Sequence, residues 1–457
     1  MIMKRILFAV ALLLGAQAMF AQQATKTPAE AKEAVEAAKA ATENEKKAIK
    51  PDTWTKLGKA YMDAYYAPQG SGVIGSSEED LRVLMAKQKV LGTKKMTIQG
   101  KKFTQKRYST CNYYFGEDGR LAIIEVTKPI YKDPLDLALK AYGEAYKRDD
   151  KHKKEKEIVS AIKTISSKYT DEAYNYYTLG RHTVASGYFE RAYKALKTEP
   201  VSQIDTNAVY NAAYTGWMGA NAVKDTTASG IARRNQYYKR SEALFKQSIA
   251  LKYDGEGGEA YAKLADIADK LGDKAASVKY LEQGFAKYPG SQSLLVGLIN
   301  YYVTSGENTD KLFELLDAAK KNEPGNASLY YVEGNAREKL GQAEQALAAY
   351  EKCSEINPNY EYGYIGKALF LYNKAVECQD LAQKEMDDAK YMAYVADFEK
   401  NLKACVEPFE KAFEVTKDQE LKKNVADYLK NACFRFRTDE TYKAKYEKYS
   451  NFTPAAK

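Results

Sequence analysis

Histidine is scarce in this 457-residue chain, which has only His152 and His182. Neither lies near a cysteine or serine in a recognisable catalytic setting. The patterns G-x-S-x-G and H-E-x-x-H are missing. The stretch "GSGVIGSS" that begins at Gly70 is rich in glycine and serine, but no helix after it carries the lysine that a phosphate-binding loop needs. The sequence therefore predicts a protein that is not an enzyme and that uses no cofactor.

Cysteine is also sparse, and its spacing matters more than its number. No two cysteines stand at C-x2-C or another metal-ligand spacing, so we expect no metal site. An odd number leaves at least one thiol free or paired between molecules. The five cysteines are Cys111, Cys353, Cys378, Cys405 and Cys433.

Long apolar runs are confined to the amino terminus. Lys4 and Arg5 precede an apolar stretch at residues 6–14, and small residues follow at Ala18 and Ala21. This is the pattern of a secretory signal peptide, which we predict for residues 1–21. No cysteine follows the apolar stretch, so no lipid anchor is expected, and no later run approaches the roughly 18 residues of a membrane-spanning helix. We therefore expect a periplasmic protein, with an extracellular or outer-membrane-vesicle location as the alternative.

The net charge of +9 raises the question of nucleic acid binding. The densest charged cluster, "KRDDKHKKEKE" at residues 147–157, mixes both signs at helical spacing. This mixture favours a solvated helix face, with an anionic envelope surface as the minority alternative. We expect no nucleic acid partner.

Two kinds of helix-ending signal recur at the same period. The turns "YDG", "YPG", "EPG" and "NPN" are centred on residues 254, 289, 324 and 358, and the glycines between helices are Gly272, Gly306 and Gly341. Apolar residues recur at helical spacing between these signals, as in residues 328–359. The pattern predicts helix-turn-helix repeats of about 34 residues.

These residues resemble the tetratricopeptide repeat family. The opening stretch "WTKLGKAY" has the form W-x2-L-G-x2-Y, and the clearest unit carries aromatic and small residues at the family's positions. The resemblance implies an all-α, right-handed superhelical solenoid of helix-turn-helix repeats. The repeat-signature residues, which we expect to be structural, are Trp54, Leu57, Gly58, Tyr61, Gly180, Gly187, Ala265, Gly272, Gly306, Tyr330, Gly334, Gly341, Ala346, Tyr350 and Pro358.

Some positions depart from the family pattern. Ile299 stands where a small residue is expected, so its unit should pack differently. Cys353 and Cys405 occupy small buried positions, where a thiol acts as a small hydrophobe.

Three stretches interrupt the repeat. Residues 96–129 are rich in Thr, Tyr, Phe, Ile and Val, and predict three or four antiparallel strands inserted into the first repeat. Residues 224–236 are polar and predict a loop, whereas residues 377–401 predict a prolonged helical hairpin. We therefore divide the chain into a signal peptide (1–21), an N-terminal helix with the first repeat helix (22–66), the inserted sheet (67–132), irregular repeats (133–252), regular repeats (253–358), and a last repeat with extended hairpin and capping helices (359–457).

The resemblance also indicates which side chains face the concave groove. These are polar residues and one tyrosine, able to bind an extended peptide, although a solvated groove explains them equally well. The expected groove residues are Asp266, Asp269, Lys270, Asn300, Tyr331, Asn335, Glu338 and Lys339.

Taken together, these features are similar to the soluble periplasmic repeat proteins of Bacteroides-type Gram-negative bacteria. This likeness implies a non-catalytic scaffold that binds envelope proteins or peptides and assists their assembly or secretion. One alternative is a ligand- or glycan-binding module on the inserted sheet, with Tyr113 and Tyr114 among its contacts. It predicts that the sheet's aromatic residues converge on an exposed face. The other alternative, an enzyme, predicts a pocket of clustered titratable side chains.

Overall fold

The computed structural model describes residues 26–85, 88–305 and 309–453. The predicted signal peptide (1–21) and Gly306 lie outside these ranges. The chain forms two compact units, and the first ends at Tyr253 and the second begins at Asp254. Within the described ranges, no helix is long and apolar enough to cross a membrane.

The first unit consists of helices and one small sheet. Proline occupies one of the first two positions of three helices, where its missing N–H costs nothing. Thr27 and Glu30 form a capping box at the start of the first helix. The helices are α1 (Pro28–Glu43), α2 (Glu45–Ala48), α3 (Pro51–Tyr66), α4 (Glu78–Leu84), α5 (Pro134–Tyr146), α6 (Glu155–Thr178), α7 (His182–Lys197), α8 (Thr206–Asn221) and α9 (Ala228–Ala250), with a 3-10 turn at Ala67–Gln69.

Consecutive helices of this unit pack as pairs, except at the insertion. Helix α3 packs on α5, although 67 residues separate the two helices in the sequence, and α6 to α9 follow as a stack of neighbours. A Cβ atom on Gly58 would lie 2.6 Å from the Tyr142 ring, which shows how closely α3 and α5 approach each other. The predicted fold, helical repeats with a small sheet inserted in the first one, is confirmed.

The inserted sheet has four antiparallel strands in sequential order. They are β1 (Gly92–Ile98), β2 (Lys101–Arg107), β3 (Cys111–Phe115) and β4 (Leu121–Val126). Gln99 and Gly100 both have positive φ and form the two-residue turn that joins β1 to β2. The sheet thus begins four residues before the predicted boundary at residue 96.

Both faces of this sheet are covered. On one face Tyr113 and Phe115 pack against Leu81 of α4 and against Met85, which follows that helix. On the other face Phe103, Tyr114 and Ile123 form a cluster that includes Leu179, just after α6. Because strand residues alternate between faces, covering both faces buries most of the sheet's large apolar side chains.

The described residues of the second unit form helices joined by turns and loops, with no strand among them. Its helix-turn-helix pairs turn at glycines with positive φ, such as Gly272 and Gly341. The helices are α10 (Glu259–Lys270), α11 (Lys274–Lys287), α12 (Gln292–Ser305), α13 (Thr309–Asn322), α14 (Ala327–Lys339), α15 (Ala343–Ile356), α16 (Glu361–Lys384), α17 (Asp388–Ala404), α18 (Val406–Val415), α19 (Gln419–Phe434) and α20 (Glu440–Ser450), after a 3-10 turn at Glu256–Gly258.

Tyr350 shows how the repeat signature packs. Its ring lies between two helices that each present a glycine. Cβ atoms built on Gly334 and Gly366 would lie 2.5 and 2.4 Å from ring atoms of Tyr350. The large side chain of α15 therefore fills the space that glycines of α14 and α16 leave open.

Two local expectations change. The predicted loop at residues 224–236 is wrong beyond Thr227, because the Thr227 side chain caps α9 and helix begins at Ala228. In the unit with Ile299, the close approach moves to Gly297, whose Cβ would lie 2.6 Å from Leu281, and Ile299 itself is buried. The extended hairpin appears as α16 and α17, which pack on each other.

Candidate functional site

The first helices of successive repeats in the second unit form a continuous row. Helices α10, α12, α14 and α16 each pack on the next. Lys339 Nζ donates a hydrogen bond to Asn300 Oδ1 over 2.9 Å and so joins α14 to α12. These two predicted groove residues therefore lie on one shared surface.

Three more predicted residues meet around the Tyr350 hydroxyl. That hydroxyl lies 2.8 Å from Asn335 Oδ1 and 2.7 Å from Glu338 Oε2, and can donate its one proton to either. Burial and the nearby Glu338 carboxylate raise the pKa of Tyr350 well above its usual value. The Tyr331 ring lies 6.1 Å from the Tyr350 ring. The structure thus brings Tyr331, Asn335 and Glu338 together.

Tyr331 belongs to an aromatic cluster that the sequence reasoning did not identify. Its ring centroid is 5.6 Å from Tyr362 and 6.5 Å from Tyr360, which are 5.4 Å from each other. All three residues are half-buried, so each remains partly accessible to solvent. The signal was present in "NPNYEYGY", where tyrosines occupy every second position from Tyr360. We call Tyr331, Tyr360 and Tyr362 the tyrosine cluster.

The predicted residues on α10 are already paired. Lys270 Nζ lies 3.5 Å from Asp266, and Asp269 forms an ion pair with Lys274. Exposed pairs of this kind contribute little to stability, because water screens them. They form a charged margin at the α10 end of the row.

Most repeat-signature residues in the first unit have structural contacts. Trp54 Nε1 donates to the Ala48 carbonyl over 2.8 Å, and the Arg148 guanidinium lies 4.5 Å from the Trp54 ring. Leu57 is buried, and the Tyr61 ring makes an edge contact with another tyrosine. Their side chains hold α3 in place.

The other signature residues divide between turns, core and edge. Gly180 has a positive φ between α6 and α7, whereas a Cβ on Gly187 would have no atom of the described residues within 4 Å. Ala265 and Ala346 are buried. Pro358 lies between α15 and α16. Tyr330, another signature aromatic, is half-buried beside the ammonium group of Lys320.

The alternative that places a ligand on the inserted sheet is contradicted. Tyr113 and Tyr114 are 0% and 3% exposed, and their hydroxyls donate to the Gln69 carbonyl and the Glu125 carboxylate, both over 2.6 Å. The other sheet aromatics, Phe103, Tyr108 and Phe115, are also buried. The predicted exposed aromatic face is wrong, because α4 and the end of α6 cover the two faces.

A buried polar cluster instead joins the sheet to the helices. Glu172 of α6 is 9% exposed and accepts a hydrogen bond from the Tyr65 hydroxyl over 2.9 Å. Burial is the main reason that the pKa of Glu172 rises to about 7. Glu125 of β4 forms an ion pair with Arg181. Burial opposes its ionisation, but hydrogen bonds from Tyr114 and other donors hold the pKa of Glu125 below its usual value. The sequence reasoning missed both carboxylates.

The scarce histidines have separate settings. His152 Nδ1 lies 2.7 Å from a Glu155 oxygen, and His182 packs beside the Tyr177 ring, where burial lowers its pKa. Over the described ranges, no group of three or more His, Cys, Asp or Glu side chains could hold a metal ion.

All five cysteines are buried free thiols. Burial raises the pKa of Cys353 and of Cys405 to about 12. Cys353 lies on the buried face of α15, and Cys405 lies at the junction of α17 and α18. Both positions are those expected of thiols that act as small hydrophobes.

The comparison with protein families matches two parts of this helical array. A family model for the tetratricopeptide repeat matches residues 258–286, which span α10 and nearly all of α11, and residues 327–360, which span α14 and α15. No curated protein matches the sequence significantly.

Three of the solved structures that this chain matches are described by identity, coverage and TM-score. A tetratricopeptide repeat protein from Parabacteroides merdae is 11% identical, with 57% of this chain and 98% of that chain covered and a TM-score of 0.32. A TPR repeats protein from Bacteroides fragilis is 14% identical, with 57% and 96% covered and a TM-score of 0.25. The human IFIT1 dimer with m7Gppp-AAAA is 13% identical, with 69% of each chain covered and a TM-score of 0.31.

The two matched segments are those in which the glycine turns and the packing around Tyr350 reproduce the helix-turn-helix unit. Residues 258–286 and 327–360 are therefore tetratricopeptide repeats, and the resemblance to that family is confirmed for these two segments.

Proposed function

We propose that this protein is a non-catalytic scaffold of the bacterial cell envelope, exported by its amino-terminal segment. Its tetratricopeptide repeats indicate a role in protein–protein interaction. The sequence of residues 1–21, with its basic start and short apolar stretch, supports export to the periplasm. Assistance in the assembly or secretion of envelope proteins is the corresponding role.

The observation that carries this proposal is the surface formed by the tyrosine cluster and the polar residues beside it. Half-buried tyrosines offer large contact area at low entropic cost, because few torsions are lost on binding. Next to them, Asn335 and Lys339 offer hydrogen-bonding groups on the same helix, α14. An extended peptide needs both kinds of contact, apolar area for affinity and polar groups for its backbone.

The test is an envelope cross-linking and pull-down experiment with the full-length protein and two matched variants. Tyr362→Ala with Lys339→Glu alters the proposed surface. Tyr237→Ala with Lys239→Glu makes the same chemical changes on α9 of the first unit. We expect the first variant to lose its cross-linked partners and the second to retain them. Equal recovery by both variants would contradict the proposed surface.

Location is tested separately. Osmotic-shock fractions of cells that express the full chain, or the chain without residues 1–21, are probed for the protein. We expect the full chain in the periplasmic fraction and the shortened chain in the cytoplasm. Retention of the full chain in the cytoplasm would refute the envelope role.

A further inference from the structure

The far end of the α16–α17 hairpin exposes large apolar side chains. Met386, in the connecting loop, is 95% exposed, and Met392 is 63% exposed. Leu381 and Tyr391, on either side of the loop, are 42% and 44% exposed. Exposed apolar side chains grouped at one place mark interaction sites more often than single ones do. Methionine suits such a site because its side chain is flexible and polarisable.

Acidic groups surround these side chains. Residues 380–392 contain four acidic and two basic residues, in a chain whose net charge is +9. Glu385 and Asp387 accept hydrogen bonds from backbone N–H groups of the loop and of α17. Asp380 and Asp388 take part in none of the ion pairs among the described residues. We call residues 380–392 the acidic tip.

The first unit carries a surface of opposite charge. Strands β1 and β2 and their turn, residues 92–107, contain six basic residues and no acidic ones. Lys106 pairs with Glu78 and Lys102 with Glu117. Within the described residues, Lys94, Lys95 and Lys101 have no carboxylate partner, and all three are exposed. We call residues 89–107 the basic ribbon.

The basic ribbon also has apolar surface next to its charges. Val90 and Leu91, which precede β1, are 40% and 56% exposed. The Leu91 N–H donates to the Arg107 carbonyl, so this segment continues the ribbon. The ribbon therefore combines basic and apolar groups, and the acidic tip combines acidic and apolar groups.

We propose that the acidic tip of one copy docks on the basic ribbon of a second copy. Charge complementarity selects this occupant, because the chain itself carries both surfaces. Each surface keeps exposed charges with no ion-pair partner among the described residues, three lysines on the ribbon and two aspartates on the tip. Strand β1 is the edge of its sheet, and lysines on an edge discourage the addition of another strand. The contact is therefore made by side chains, with methionines against Val90 and Leu91 and carboxylates against lysines.

This contact is heterologous, because two different surfaces meet. Each copy keeps a free tip or a free ribbon, so association continues to larger species or closes into a ring. The tip of one hairpin offers little area, which is typical of weak and transient contacts. Association should therefore appear at low ionic strength and high protein concentration, and weaken as salt screens the charges.

The test uses sedimentation velocity of the purified protein at low salt, together with two charge-reversal variants. The tip variant is Asp380→Lys with Asp388→Lys. The ribbon variant is Lys94→Glu with Lys95→Glu. We expect the unmodified protein to associate with rising concentration, and each variant alone to associate at least about tenfold more weakly, because like charges then meet. A mixture of the two variants restores complementary pairs and should associate again.

A control variant, Lys32→Glu with Lys39→Glu on α1, changes net charge as much as the ribbon variant does, and should associate like the unmodified protein. Circular dichroism of every variant checks that the helices remain folded. Monomeric behaviour of the unmodified protein at every concentration would overturn the proposal. A mixture that stays as dissociated as its two components would overturn it as well.

Discussion

The buried carboxyl group of Glu172 should make the stability of the first unit depend on pH. Replacement by glutamine keeps a side-chain oxygen that can accept the hydrogen bond from Tyr65, but removes the ability to ionise. The variant therefore separates the charge from the packing. Its effect should be small in acid and grow as the pH rises.

The magnitude follows from the pKa. Burial raises the pKa of Glu172 from 4.5 to about 7, with Asp171 adding to the rise and Lys168 opposing it. Because the pKa is higher in the folded state than in the unfolded state, the folded state is favoured below pH 4.5. That advantage is lost as the pH rises to about 7. One pKa unit corresponds to 1.36 kcal/mol, so the ionised carboxylate costs about 3 kcal/mol above pH 7.

The assay is urea unfolding followed by tryptophan fluorescence. The only two tryptophans, Trp54 and Trp217, both belong to the first unit, so the signal reports that unit alone. We expect Glu172→Gln to match the unmodified protein near pH 4.5 and to exceed its unfolding free energy by about 3 kcal/mol at pH 8.

Glu33→Gln, at an exposed site on α1, controls for the loss of one negative charge. A difference between Glu172→Gln and the unmodified protein that stays constant from pH 4.5 to 8 would refute the reasoning. It would show that Glu172 reaches solvent and that the hydrogen bond, not the charge, decides its contribution.

Three further predictions concern packing and capping. Gly58→Ala should destabilise the first unit by about 1 kcal/mol in the same fluorescence assay, since overpacking against Tyr142 outweighs the gain in helix propensity. Gly143→Ala is the matched control and should stabilise the unit, because its Cβ would have no atom of the described residues within 4 Å. Thr227→Ala should cost about 1 kcal/mol through loss of the α9 cap, again by tryptophan fluorescence, and an unchanged midpoint would contradict the cap. Gly334→Ala should lower the thermal midpoint of the second unit in circular dichroism, and Tyr350→Leu should relieve that loss; additive effects of the two changes would show that glycine and ring are not in contact.

Much of the fold could be predicted from local patterns. The glycine and proline signals set the repeat period, because those residues end helices whatever surrounds them. The motif at Trp54 and Gly58 could be recognised as one half of a repeat whose other half lies beyond an insertion. Boundaries were less accurate where one residue acts as a cap, as Thr227 does, since capping depends on the conformation that the chain adopts there.

The candidate site was predicted only in part. Asn300 and Lys339 could be placed on one surface, because repeat positions determine which helix face they occupy. The tyrosine cluster could not be deduced so simply. It depends on how the loop after Pro358 brings Tyr360 and Tyr362 towards Tyr331, and that distance is set by packing between repeats.

The sequence by itself determined the helical repeats, their period and the inserted strands, because each of these follows from residue patterns a few positions apart. The tertiary structure alone decided which polar and aromatic groups are hidden. From the sequence we expected Tyr113 and Tyr114 among the exposed contacts, but α4 and the end of α6 cover the sheet and bury them. In the sequence Glu172 looks like any other helix carboxylate, but in the structure it is buried and accepts a hydrogen bond from Tyr65. Burial is a property of segments distant in sequence, and so is the chemistry that depends on it.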